Sequence, residues 1–339
     1  MVSLDDVKRH NASLKDFGPN LVAVFVGGTS GIGEATARAF VRDTVSSRVY
    51  LVGRNEAQAS KIIQELRQLN PDGQISFVKC DAANLKSVDE VCKTIQQKEN
   101  HINLLFMTVG IFTTKGRDET DEGLDKKFSL NYYSRMRFLF NLLPQLTAAS
   151  KVDSATGIGL GHNLSRVVSV LSAGDEGPLN MDDLSLKNNF SLRNCARHTI
   201  TMTSLSMEEL AAAHPATSFV HAYPSAVKTG LTRGLGPIAR GALEGIYFLA
   251  KPFFVPLDES GERHLYAATS PRFSPREAKD VADAAPGSDG EKGSGAYLLH
   301  WDGSDNGNKK PLQELRKNDT GKTVWKHTLD TFDSICDPS

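Results

Sequence analysis

The sequence predicts an α/β fold built on one doubly wound parallel sheet. Three observations carry that prediction. Short, nearly all-apolar runs alternate with longer helical patterns over the first two thirds of the chain, a glycine-rich turn joins the first run to the first helix, and no internal repeat interrupts the rhythm. Strands that are apolar throughout need cover on both faces, which a sheet sandwiched between helices provides.

The strand candidates in order are "LVAVFV" (21–26), "RVYLV" (48–52), "QISFVKC" (74–80), "INLLFMT" (102–108), "RVVSVL" (166–171) and "ATSFVHA" (216–222). Each is short, rich in β-branched or bulky apolar residues and bounded by turn formers. Helical patterns fill the gaps at 32–43, 55–69, 85–98, 122–147 and 190–213. After residue 223 the rhythm breaks. Residues 225–258, rich in Gly, Pro and bulky apolar side chains, read as a substrate-covering lid, or as a packed surface helix or an oligomer contact. Residues 271–295, loaded with Gly, Pro, Ser and charge, read as a long loop, followed by the strand "AYLLHW" and a helix near 311–335. The expected organisation is one α/β domain over 1–270, with the excursion at 225–258 and a C-terminal extension over 271–339 packed on the same domain.

Composition narrows the function. Thirty-nine basic residues against forty acidic ones leave a net charge of −1, which gives no broad attraction for nucleic acid or an anionic membrane. A small-molecule substrate is the expected partner. Cys80, Cys92, Cys195 and Cys336 form no CxxC pair and the nine histidines no HExxH pair, so reduced thiols and no metal are expected. No run reaches the roughly 18 apolar residues a membrane span needs, and the first residues carry no apolar leader, so the expected location is cytoplasmic.

The segment "VFVGGTSGIGEATARAF" places Gly27, Gly31 and Gly33 between the first strand and the first helix. Glycine is needed there because the turn is tight and the backbone must approach a pyrophosphate at the helix N-terminus. Ser30 is a candidate phosphate contact, and Ile32, between the last two glycines, belongs to the same cradle. The second strand ends in "VYLVGRNE". An arginine at position 54 suits a 2′-phosphate where a carboxylate would suit a free 2′-hydroxyl, so Arg54 favours NADP(H); its plain alternative is a solvated surface arginine. Asp81, after the third strand, is placed to accept from an adenine amino group or to cap the next helix.

Over residues 20–270 the chain resembles the short-chain dehydrogenase/reductase family, through "GGTSGIG", "KCDAAN", "SLNYYSR", "VVSVLSAG" and "AYPSAVKTGL". The overall pattern is most similar to fungal members associated with secondary metabolism. The resemblance implies a Rossmann-type domain that transfers hydride between NAD(P)H and a carbonyl or alcohol. It also implies catalytic roles for Asn131, which would hold a relay water, and Ser172, which would bond the substrate oxygen, and a cofactor contact for Thr229. Family members often pair through the fifth and sixth helices, so the resemblance leaves a homo-oligomer open, as it does the alternative that the C-terminal additions cover that surface.

The resemblance fails at one place. The family's tyrosine and lysine, in a YxxxK pattern, fall here on Phe190 and Asn194 of "FSLRN". Phenylalanine has no proton to give, and asparagine carries no charge to lower a phenol's pKa from near 10. The literal match "YFLAK", Tyr247 to Lys251, follows "AYPSAVKTG" where the family's pair precedes it, and reads as chance. Tyr132, Tyr133, Tyr223 and His198 are the other candidate proton donors. Three functions follow: a reductase with an altered proton path, a non-redox cyclase, isomerase or dehydratase on the same scaffold, and a nucleotide-binding pseudoenzyme.

Overall fold

A computed structural model describes residues 1–151, 163–230, 241, 245, 247, 254–278 and 281–337. Seven strands form one parallel sheet: β1 (Val22–Val26), β2 (Arg48–Gly53), β3 (Gln74–Lys79), β4 (Leu104–Met107), β5 (Arg166–Val170), β6 (Ser218–Ala222) and β7 (Ala296–Leu299). Their order is β3-β2-β1-β4-β5-β6-β7. The chain therefore leaves β1 outward in one direction, returns, and continues in the other from β4. That reversal opens a crevice above the carboxyl ends of β1 and β4, the place where such sheets take ligands.

Strand periodicity divides the core. Ala23 and Phe25 face a layer with Phe40, Ile62 and Leu265, whereas Val22, Val24 and Val26 face one with Val88, Ile95, Phe138 and Met207. The first layer is built by α2 (Gly31–Asp43), α3 (Glu56–Leu69) and α8 (Leu257–Thr269). The second is built by α4 (Leu85–Gln96), α6 (Ser134–Ala149) and α7 (Leu192–Ala213). Burying each large apolar side chain stabilises by about 1.5–3 kcal/mol, so the sheet is held from both sides.

The helical pattern at 122–147 resolves into a short turn α5 (Lys126–Phe128), a π-helical stretch Ser129–Tyr133 and α6. Two helices were not anticipated. α1 (Leu4–Ala12) starts at Ser3, whose Oγ accepts from the Asp6 N–H, and docks on α8 through Asn11, which donates to the Glu262 carboxylate at 2.7 Å. α8 crosses α2 closely because Gly261 has no Cβ; one there would meet the Ala35 backbone at 2.8 Å. The expected lid falls largely outside the described residues.

Past the 271–295 loop, β7 extends the sheet, followed by α9 (Lys309–Lys317) and α10 (Thr320–Cys336). α10 lies against α6 and α7. The Tyr132 hydroxyl bonds Thr328 Oγ1 at 2.6 Å and Ser206 Oγ at 2.8 Å, and the Tyr133 hydroxyl bonds His327 Nε2 at 2.8 Å. The Phe332 ring takes the Arg137 guanidinium 5.1 Å from its centroid. No helix among the described residues is long and apolar enough to cross a membrane.

Candidate active site

The β1–α2 turn has the geometry its glycines require. Gly27 and Gly31 sit at φ +88° and +59°, where a side chain is strained. A Cβ on Gly33 would lie 2.5 Å from the Gly27 carbonyl oxygen and 2.6 Å from Thr108 Oγ1. Thr108, just beyond β4, thus presses the turn into shape. Ser30 is the N-cap of α2 but makes no side-chain capping bond, so its hydroxyl and the first N–H groups of the helix are left for an anion. Ile32 anchors the same turn by burying its side chain. Thr229 closes it from the far side, its Cβ and Cγ2 each 3.2 Å from the point a Gly31 Cβ would occupy.

Arg54 follows β2 directly, is exposed, and has no hydrogen bond or ion pair among the described residues. Asp81 is exposed too, its Oδ1 accepting from the Ala83 N–H at 3.2 Å. It does not cap α4: Asn84 holds the N-cap position, and the Glu122 carboxylate accepts from the Leu85 and Lys86 N–H groups. The helix-capping alternative for Asp81 is therefore replaced by a tight turn ahead of the helix.

Ser172 lies two residues past β5, and its hydroxyl has no hydrogen bond among the described residues. Asn131 sits in the π-helical stretch, which turns its Oδ1 toward Gly110, 2.7 Å from where a Cβ would be. π-turns of this kind concentrate at functional sites. Thr108, Gly110 and the buried Arg135 are site residues the sequence did not single out. The signal for Arg135 was a charge in the apolar run "YYSRMRFLF", four residues past Asn131.

The corner expected to hold the acid–base pair is built otherwise. α7 begins at Leu192, with Ser191 as N-cap accepting from the Asn194 N–H at 3.1 Å. Phe190 therefore precedes the helix, and the expected pairing one turn apart on a helix face does not form. The Lys127 ammonium stands 5.0 Å from the Phe190 ring centroid and pairs with Asp125 at 3.0 Å. Asn194 Nδ2 donates to the Asn189 carbonyl at 3.1 Å.

The other candidate donors are mostly committed to structure. His198 Nε2 accepts from the Asn180 N–H at 2.9 Å, its Nδ1 bonds the Leu184 carbonyl at 3.1 Å, and burial holds its pKa below the usual imidazole range. Tyr132 and Tyr133 are fully buried and bonded to α10. Tyr223 stacks on His300 with centroids 5.4 Å apart. Tyr247 packs on Phe254 at 4.4 Å, and Lys251 lies outside the described residues. No cluster of three or more metal-binding side chains exists among the described residues.

Comparison with known proteins places this architecture. Residues 21–154 match the sequence profile described as short chain dehydrogenase. The chain is 43% identical to Oxidoreductase AN1596 of Emericella nidulans, covering 98% of each chain. It is 38% identical to Oxidoreductase andH of Emericella variicolor, covering 99% of this chain and 98% of that one. It is 31% identical to Short-chain dehydrogenase/reductase SAT2 of Stachybotrys chartarum, again covering 99% and 98%. Among solved structures, the NADPH-bound carbonyl reductase from chicken fatty liver shares the fold with a TM-score of 0.56 at 17% identity, over 85% of this chain and 99% of that one. The protein thus belongs to the short-chain dehydrogenase/reductase family of oxidoreductases.

Proposed function

We propose that the protein is an NADP(H)-dependent reductase of a small organic metabolite in fungal secondary metabolism, with a proton path that does not use a tyrosine–lysine pair. The observation that carries the choice of NADP(H) is Arg54: an exposed guanidinium without a partner among the described residues, placed at the end of β2 beside the glycine turn. A 2′-phosphate there gains a charge-assisted, bidentate bond at little desolvation cost. The glycine turn, Ser30 and Ile32 would cradle the pyrophosphate, Asp81 would meet the adenine end, and Thr229, packed against Gly31, would contact the nicotinamide side. The fungal relatives, named as oxidoreductases and matched over nearly their whole length, support the redox part of this reading.

The bound dinucleotide would supply the hydride. The chain's own part is to orient: Ser172 offers a hydroxyl to the substrate oxygen, and Asn131 holds a polar atom beside Gly110. Orientation in attack geometry contributes about 7–11 kcal/mol, whereas general acid–base catalysis contributes only about 10²- to 10⁴-fold. Turnover therefore survives loss of the phenol when the acceptor needs no simultaneous protonation, as with an iminium or conjugated enone, or when water delivers the proton. The apolar Phe190 and the structurally bonded Asn194 also favour a second reading, a non-redox cyclisation, isomerisation or dehydration guided by Ser172.

Two measurements separate these readings. Incubation with NADPH and the metabolite pool of the source pathway, following nucleotide absorbance and product mass, gives coupled changes for a reductase; product without nucleotide oxidation supports the second reading. Arg54→Glu is expected to weaken NADP binding about 10- to 100-fold while leaving NAD much less affected. Equal wild-type affinities for the two nucleotides would discard the NADP(H) assignment.

A further inference from the structure

Arg135 is a charged side chain that neither the cofactor cradle nor the proton question uses. It is 1% exposed and has no carboxylate partner among the described residues. Its Nη1 donates to Ser169 Oγ and to the Val170 carbonyl, both at 2.8 Å, its Nε to the Leu130 carbonyl at 3.3 Å, and its Nη2 to the Val109 carbonyl. All four acceptors are neutral. One N–H remains without a partner among the described residues.

These bonds locate the charge. Val109 is the residue whose nitrogen lies 3.0 Å from the Cβ position of Gly27, so its carbonyl belongs to the strand end that presses on the glycine turn. Val170 ends β5, two residues before Ser172. The guanidinium therefore forms the floor between the phosphate turn and the serine, one helical turn beyond Asn131, with Nη2 3.7 Å from the Cβ position of Gly110.

Contacts lead from Arg135 to a negative charge only indirectly among the described residues. His221 pairs with Ser169 across β5 and β6, and its Nδ1 lies 2.9 Å from Ser204 Oγ, which donates to the Glu176 carboxylate at 2.8 Å. Ser204 has a single proton, and of its two acceptors the Glu176 carboxylate at 2.8 Å outcompetes the Ile200 carbonyl at 3.3 Å. It must then accept from an Nδ1–H, which fixes the tautomer of His221 and leaves a bare Nε2 lone pair. That nitrogen is buried and unpartnered, and burial beside Arg135 drives the imidazole pKa down to about 3. Glu176 itself accepts from the Gly174 and Asn308 N–H groups and Ser204. A neutral histidine and a serine thus separate the buried cation from the buried anion, and the Glu176 carboxylate offsets only part of the cation's field.

We propose that Arg135 is the fixed positive charge of this site, set beneath the crevice so that it favours the uncharged, reduced nicotinamide over the oxidised cation and poises the resting enzyme for reduction. The proposal rests on the reading that a nicotinamide dinucleotide binds over β1 and β4. It assigns to a core side chain of α6 an electrostatic influence that ordinarily comes from groups touching the ligand. Such a charge acts through a medium of low dielectric and is weakly screened by salt.

The test is the ratio of NADPH to NADP⁺ affinity, measured by calorimetric titration of the purified full chain with each nucleotide. The wild type is expected to bind NADPH about tenfold more tightly or better, with little salt dependence of the ratio. Arg135→Gln should bring the ratio toward one, and Arg135→Lys, which keeps the charge, should retain most of it. A general loss of packing would weaken both nucleotides alike and leave the ratio unchanged. A wild-type ratio near one, or an unchanged ratio in folded Arg135→Gln, overturns the proposal. Should circular dichroism show that Arg135→Gln does not fold, Glu176→Gln decides: removing the counter-charge should raise the ratio, and no rise overturns it. Failure of the wild type to bind either nucleotide overturns the cofactor reading and this inference with it.

Discussion

The β1–α2 turn and the β5–α7 corner lie at the carboxyl end of the same sheet, yet they are finished in opposite ways. At the turn, polar groups are left over: the Ser30 hydroxyl caps nothing, and Arg54 nearby has no partner among the described residues. At the corner, polar groups are consumed. Asn194 bonds Asn189, His198 spends both ring nitrogens on backbone, and Lys127 pairs with Asp125 over the Phe190 ring. A ligand-ready surface shows up as unfinished bonding, and a self-satisfied one has become scaffold. Ser172, its hydroxyl also without a hydrogen bond among the described residues, is what remains of the first kind at the second place.

Four experiments break or sharpen this contrast. The largest effect is expected from Gly33→Ala, whose methyl would collide with the Gly27 carbonyl and Thr108; nucleotide affinity, read by titration, should fall about a hundredfold or more. Ser172→Ala comes next: loss of one hydrogen bond to a charge-bearing oxygen should lower turnover about 10- to 100-fold with nucleotide affinity unchanged. Full activity of that variant would remove Ser172 from the site. Ser225→Gly should stabilise, because Ser225 holds φ +60° without being glycine; about 1 kcal/mol is expected, seen as a rise in Tm of roughly 2 °C. The smallest change is expected from the double variant Phe190→Tyr with Asn194→Lys. The new phenol would precede α7 and face the Lys127 ion pair, so steady-state turnover should not rise. A large gain would show that the corner is an interrupted site after all.

Much of this was legible in the sequence because it depends on local pattern. Apolar runs such as "LVAVFV" report a strand buried on both faces, and glycines at 27, 31 and 33 report a turn with two left-handed residues. The start of α7 was legible too, though misread: Ser191 three residues before Asn194 is an N-cap spacing, which places Phe190 outside the helix. What was not legible depends on distant partners. The reach of Arg135 to Val109 and Val170, the docking of α1 on Glu262 and the close crossing at Gly261 are set by packing across long separations, and no window of sequence contains them. The π-helical stretch under Asn131 carries no propensity signal of its own.

The placement of α10 has a consequence for how the chain acquires its shape. Tyr132 and Tyr133 are interior residues of the first half, yet their hydroxyls bond Thr328 and His327, 196 and 194 positions later. Until residues 320–336 have been synthesised, one side of α6 and α7 has no cover, the Tyr133 phenol lacks His327, and the Tyr132 phenol keeps only Ser206. Maturation of the crevice is thereby coupled to late translation, and ribosome-bound intermediates that already contain every site residue would still present a sticky, unfinished flank to chaperones.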